Sequence, residues 1–186
     1  MRDPTAKSER SEMKPLVPRI DEFEGKKIGF HINTKEAAEP TAQVIEEKMS
    51  EKHPSVTFSH CTVPARDDEA LDQIEEWAEQ LDACIATVGD CGGCTRAVVR
   101  AANAIEASGT PAVGLMAEGF EMSWETNAVD QQRYLRSQTL PIRSETTDLE
   151  LLQDQISAKT VQGIEAALTE PLTDEEKGLE EPNSLS

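Results

Sequence analysis

A chain of 186 residues is long enough to bury one core of ordinary size, and nothing in its composition suggests two. Its 36 acidic residues outnumber 18 basic ones, and the formal net charge of -18 is spread along the chain rather than blocked. That balance disfavours a general grip on nucleic acid, which needs Lys and Arg to displace phosphate counterions.

No run approaches the roughly 18 apolar residues of a membrane span. The opening MRDPTAKSERSEMK lacks the apolar centre of a signal peptide, so a cytoplasmic protein with no membrane partner is expected. In that setting a dispersed acidic surface has two readings, ordinary solubility and adaptation to a high-salt cytoplasm, where carboxylates hold water while salt screens their repulsion; the second is favoured. Disulfides are rare in the cytoplasm, so the four cysteines are expected to be free, catalytic or metal-bound rather than structural staples.

Residues 1–24 place Pro4, Pro15 and Pro18 among charges with no steady period, which reads as an extended arm. The segment KKIGFHIN (26–33) is a strand leading into Asn33, Thr34 and Lys35, and PTAQVIEEKMSEK (40–52) is a helix with Pro40 in its first turn, stopped by His53-Pro54. The pattern repeats with strand 55–61, helix 67–81, strand 83–89, a helix from about Gly93 to Ser108 with Gly109 as its cap, and strand 111–117. A weaker helix over 121–136, a short apolar stretch TLPIR (139–143) and a last helix over 148–168 follow. Residues 169–186 are Pro, Gly, Ser and carboxylate with little apolar content, and a disordered acidic tail is expected there.

Strands alternating with helices predict an α/β fold over residues 25–168, with a parallel sheet covered on both faces. A flavodoxin-like, doubly wound sheet in a single domain, of order 2-1-3-4-5, would put the ligand crevice beyond the carboxyl ends of the first and third strands. Asn33, Thr34, Lys35 and the loop at Cys91 would line it, with Cys61, Glu118 and Phe120 farther off.

The stretch ATVGDCGGCTRAVV (86–99) sets Cys91 and Cys94 two residues apart at a strand-to-helix junction. A thiol there lies near the positive end of a helix dipole and free backbone N–H groups, which favours the nucleophilic thiolate. Gly92 and Gly93 allow close approach by a substrate. Asp90 opposes the first effect by raising the thiol pKa, unless it serves as a base or turns toward the helix N–H groups.

A dithiol-disulfide pair is the first reading, with Cys91 attacking and Cys94 resolving. Covalent or acid-base catalysis by Cys91 on a small carbonyl or carboxylate compound is the second. A metal site ranks behind both, because only His60-Cys61 offers further ligands; a purely structural turn is the remaining reading. Cys84 reads as core and Cys61 as either core or functional, whereas His31, His53 and His60 read first as structural. Trp77 reads as core, while Trp124 is placed to cover a pocket. The phosphate-binding patterns GxGxxG and GxxxxGK[ST] are both absent, so no cofactor is expected.

These residues resemble the UGSC-type (seleno)proteins, a family named for a selenocysteine-Gly-Ser-Cys motif. The blocks RDPTA, PLVPRIDEFEGKKIGF, NTK, VGDCGGCT and GTPAVGLMAEGF follow the family's order over most of residues 2–120. The resemblance puts Cys91 at the selenocysteine position and Cys94 at the family's second cysteine, and Gly93 replaces the usual serine, removing its hydroxyl. It implies a chalcogen nucleophile at residue 91 and favours redox or nucleophilic work.

The expected catalytic residues are therefore Cys91, Cys94 and Asp90, with Thr95 a second candidate for assisting proton transfer. Gly92, Gly93, Thr95, Asn33 and Lys35 are expected to bind the substrate, with no metal. The expected partner is a small-molecule or thiol/disulfide substrate, with a homo-oligomer left open. Two alternatives stand beside this reading: a cysteine-dependent lyase, isomerase or hydrolase resembling the aspartate/glutamate racemase type, anchored by Lys35 or Arg96, and a non-enzymatic subunit or metal-binding module.

Overall fold

The computed structural model describes residues 12–179. Pro4 and the start of the expected arm, and residues 180–186 of the expected tail, lie outside that range.

Strands and helices alternate as the periodicity predicts: β1 Lys27–Ile32, α1 Ala38–Lys52, β2 Thr57–Cys61, α2 Asp68–Ala78, β3 Ala83–Gly89, α3 Gly92–Ala107, β4 Ala112–Ala117, α4 Glu121–Asp130 and β5 Ser137–Leu140. The helix expected over 148–168 is instead two, α5 Leu149–Gln155 and α6 Ala158–Thr169. Ile156 leaves the helical region, and the Ser157 side chain accepts from Thr160 N–H, starting a new helix at its N-cap.

All five strands are parallel, in the order β2-β1-β3-β4-β5, which is the flavodoxin-like arrangement. Burial follows position in that sheet. The central β3 (ACIATVG) is buried at all seven residues because helices cover both of its faces, whereas the edge strands β2 and β5 carry Thr, Ser, His and Gln. One core layer packs Ile28, Phe30, Ile85, Val113 and Leu115 against α1, α5 and α6. The other sets Cys84, Ala86 and Met116 against Ile74, Val98, Val99 and Ile105.

Trp124 belongs to that second layer and does not cover a pocket. Its indole is 3% exposed and Nε1 donates to Leu135 O at 3.3 Å. A Cβ on Gly114 would lie 1.9 Å from its Cη2, so a strand residue without a side chain makes room for the ring.

The described part of the arm is extended and clamped onto the body. Arg19 Nη2 donates to Glu106 Oε1 at 2.6 Å, and Glu106 also accepts from Val17 and Ala112 N–H. Both side chains are fully buried, and removing one partner of such a pair costs about 3–5 kcal/mol. Residues 171–179 were expected to lack structure but form turns: Arg136 makes a two-pronged pair with Glu176, whose carbonyl accepts from Leu16 N–H. Arg136 holds the Glu176 carboxyl below the usual carboxylate range.

Candidate active site

The winding direction reverses between β1, which leads out to β2, and β3, which leads to β4 and β5. The crevice beyond the carboxyl ends of β1 and β3 is therefore flanked by Asn33, Thr34 and Lys35 on one side and the Asp90–Cys94 turn on the other. Just before that turn β3 is irregular. Ala86 pairs with Gly114 and Gly89 with Met116, so β3 uses one residue more than β4, and the Thr87-Val88 peptide is cis. Such bulges re-aim the residues that follow them.

Cys91 is extended (φ -153°, ψ 168°) and forms the N-cap of α3. Its Sγ lies 3.1 Å from Cys94 N, accepting the N–H at the third helical position, and is joined to Cys94 Sγ in a disulfide. Cys91 is half-buried, whereas Cys94 is 2% exposed.

Thr95 was expected to take part in substrate binding. It is wholly buried beneath the turn, where its backbone N–H and its hydroxyl both donate to Cys91 O at 2.8 Å. A Cβ on Gly89 would meet Thr95 Cα and Oγ1 at 2.8 Å, so α3 packs onto the strand end only because residue 89 has no side chain. Thr95 fixes the turn from below.

Asp90 is 2% exposed, and one carboxylate oxygen lies within 4.8 Å of both sulfurs. Its Oδ2 accepts from Glu145 N–H at 3.0 Å and its carbonyl accepts from Ser144 Oγ. The loop after β5 thus holds Asp90 in place, a contribution that sequence reasoning missed: Ser144 and Glu145 are more than 50 positions away and belong to no motif. Glu145 has φ 60°, the left-handed region a non-glycine residue seldom adopts.

Reduction of the disulfide would leave Asp90, Cys91 and Cys94 as three convergent donors, the one such group among the described residues. His60 and Cys61, the further ligands offered by sequence, do not join it. His60 Nε2 pairs with Glu46 at 2.5 Å, and Cys61 is buried in the second core layer. Burial pushes the Cys61 thiol up, and the Cys84 thiol well above the usual range, so both are held protonated and inert.

Asn33 is 7% exposed and its backbone N–H donates to Thr87 O at 2.8 Å, whereas Thr34, Lys35 and Glu118 are exposed. Phe120 is half-buried and packs against both core layers at the same rim of the sheet. A separate groove lined by Glu39, Glu46, Glu47, Glu51 and His60 runs between α1 and the edge strand and contains none of the turn residues.

No curated protein matches the sequence. Among solved structures, a diflavin flavoprotein A3 from Nostoc sp. is similar at 15% identity and TM-score 0.42, covering 82% of this chain and 91% of that one. RecJ in complex with Mn2+ from Thermus thermophilus is similar at 15% identity and TM-score 0.31, covering 78% of this chain and 18% of that one. The strand order, rather than these distant likenesses, defines the fold. No helix among the described residues is long and apolar enough to cross a membrane. The family model that matches spans residues 1–148, from the arm through the Cys91–Cys94 turn to the loop that holds Asp90, and by that match the chain belongs to the UGSC family.

Proposed function

We propose that this UGSC-family protein carries out thiol/disulfide exchange through Cys91 and Cys94. The observation behind this reading is the pairing of a half-exposed Cys91, at the N-cap of α3, with a buried Cys94 bonded to it. An attacking thiol needs access and stabilisation of its anion, while a resolving thiol needs proximity and shelter from other oxidants.

In the reduced protein the Cys91 thiolate attacks one sulfur of a disulfide R–S–S–R. A Cys91–S–S–R bond forms and one RS⁻ leaves. Cys94, its proton passing to Asp90 or to water, then attacks Cys91 Sγ, closing the Cys91–Cys94 bond and releasing the second RS⁻. Two electrons pass from the protein dithiol to the substrate, and the same couple runs backward when thiols reduce the protein disulfide. As written, the exchange uses no bound cofactor or metal. Asp90, with one carboxylate oxygen within 4.8 Å of both sulfurs, is placed to take the Cys94 proton. Gly92 and Gly93 leave the approach open, and Asn33 and Lys35 bound the opposite wall. The setting proposed is a reducing, salt-rich cytoplasm.

The test is the pH dependence of alkylation of the fully reduced protein, read by mass spectrometry at each cysteine. Cys91 should be modified first, with a thiol pKa no higher than the ~8.5 of free cysteine, and Cys61 and Cys84 should stay unmodified in the folded state. A Cys91 pKa far above that value, together with no disulfide under mild oxidant, would overturn the proposal.

A further inference from the structure

The wall opposite Cys91 begins at the end of β1. Ile32 is in register with Thr87, so Asn33 stands beside Val88, three residues before Cys91. Side chains alternate along β1: Ile28 and Phe30 lie in the first core layer, and Gly29 abuts Trp77 and Leu81 in the second. By that period Asn33 projects into the second layer, the one over which α3 begins. Its Oδ1 accepts from Thr34 N–H at 2.8 Å. Its Nδ2 is buried and has no partner among the described residues. A buried donor left unpaired is destabilising, and an acceptor brought by a ligand would satisfy it.

The first turn of α3 faces the same opening. Cys94 N–H is taken by Cys91 Sγ and Thr95 N–H by Cys91 O, whereas the N–H groups of Gly92 and Gly93 have no acceptor among the described residues. Both glycines are exposed, and a Cβ added to either meets nothing within 4 Å, so open space stands over them. No acidic residue occupies this turn. Lys35 and Arg96 are exposed on the two flanks, and neither is in an ion pair among the described residues. Asp90, the carboxylate beside the two sulfurs, is buried and held by Glu145 N–H on the side of the β5 loop.

We propose that the crevice selects a small carboxylate-bearing thiol or its disulfide, the carboxylate accepting from Asn33 Nδ2 and the first-turn N–H groups of α3 and drawn in by Lys35 and Arg96. This rests on the thiol-exchange reading and names its substrate class. It also runs against the overall charge. A chain of net charge -18 repels anions, so without such a subsite a cationic disulfide would react fastest and an anionic one slowest.

The experiment compares three disulfides in single turnover with the full-length reduced protein: 3,3′-dithiodipropionate (anionic), 2-hydroxyethyl disulfide (neutral) and cystamine (cationic). In each case the protein dithiol is oxidised and two small thiols are released. The rate of Cys91–Cys94 closure is divided by that disulfide's rate with free dithiothreitol, which removes its intrinsic reactivity. The normalised rate should be about tenfold higher for the anionic than for the neutral compound, as charge-assisted hydrogen bonds would give. Asn33→Ala and Arg96→Ala should each lower this ratio. Arg96 is exposed, so its variant reports on charge without disturbing the core.

Equal or lower reactivity of the anionic compound in the native protein overturns the substrate class while leaving thiol exchange intact. A ratio unchanged in both variants overturns the assignment of these donors. Reaction with none of the three overturns thiol exchange itself, and the substrate class with it.

Discussion

Cys91 and Cys94 are one helical turn apart, yet their surroundings differ. The first is half-buried at the helix cap; the second is buried in the helix's first turn. His31 shows the opposite logic, a titratable group placed where it does no proton chemistry. It is 1% exposed, its Nε2 lies 2.8 Å from Val63 O, and its Nδ1 has no partner among the described residues. Donation to Val63 O fits a neutral ring with the proton on Nε2. Burial pushes its pKa down, with the Val63 hydrogen bond opposing in part. The unfolded chain therefore takes up a proton that the folded one refuses, so the contribution to stability is complete above the unfolded value near ~6.5 and is lost as pH falls below it. The urea midpoint should drop between about pH 7 and pH 5, and the His31→Gln variant, normalised to its own value at neutral pH, should show a flatter profile across that window. An equally steep profile in the variant would assign the loss to other groups.

At the level of elements, much of the fold was legible because local and tertiary requirements agree. The apolar run 83–89 coincides with β3, a strand covered on both faces, and Gly109 follows α3 at φ 94° as a helix stop. Where they disagree, the pattern misleads. Leu149, Leu152, Ile156, Ile164 and Leu168 keep a near-helical spacing across a real break, because both α5 and α6 turn an apolar face to the same core layer, and Leu149 itself is 42% exposed. The one local sign of the break was Ser157, an N-cap residue inside an otherwise helical pattern. The cysteine pair of the candidate site was visible from its spacing and its place between strand and helix. Its supports were not: the extra residue in β3, the inward turn of Thr95, and the grip of Ser144 and Glu145 on Asp90 all arise from contacts distant in sequence.

The molecule as a whole is a sheet whose two layers are closed by an arm at one end of the chain and a turn-rich segment at the other, clasped through Glu106, Arg136 and Glu176. Outside those clasps the surface is dominated by carboxylates, and their mutual repulsion opposes the compact state. Added salt screens that repulsion over a Debye length that shrinks from about 10 Å at 0.1 M to about 3 Å at 1 M. Thermal stability should accordingly rise from low to molar potassium chloride; a fall would contradict the high-salt reading of the composition.

The most direct measurement for the site is adduct trapping in paired variants. Reduced Cys94→Ser protein, treated with a small disulfide, should accumulate one stable mixed disulfide, mapped by mass spectrometry to Cys91, because the resolving thiol is gone. Cys91→Ser protein should form none at a comparable rate. An adduct on Cys94 forming as fast as that on Cys91, or no adduct in either variant, would contradict the assignment of Cys91 as attacker and Cys94 as resolver.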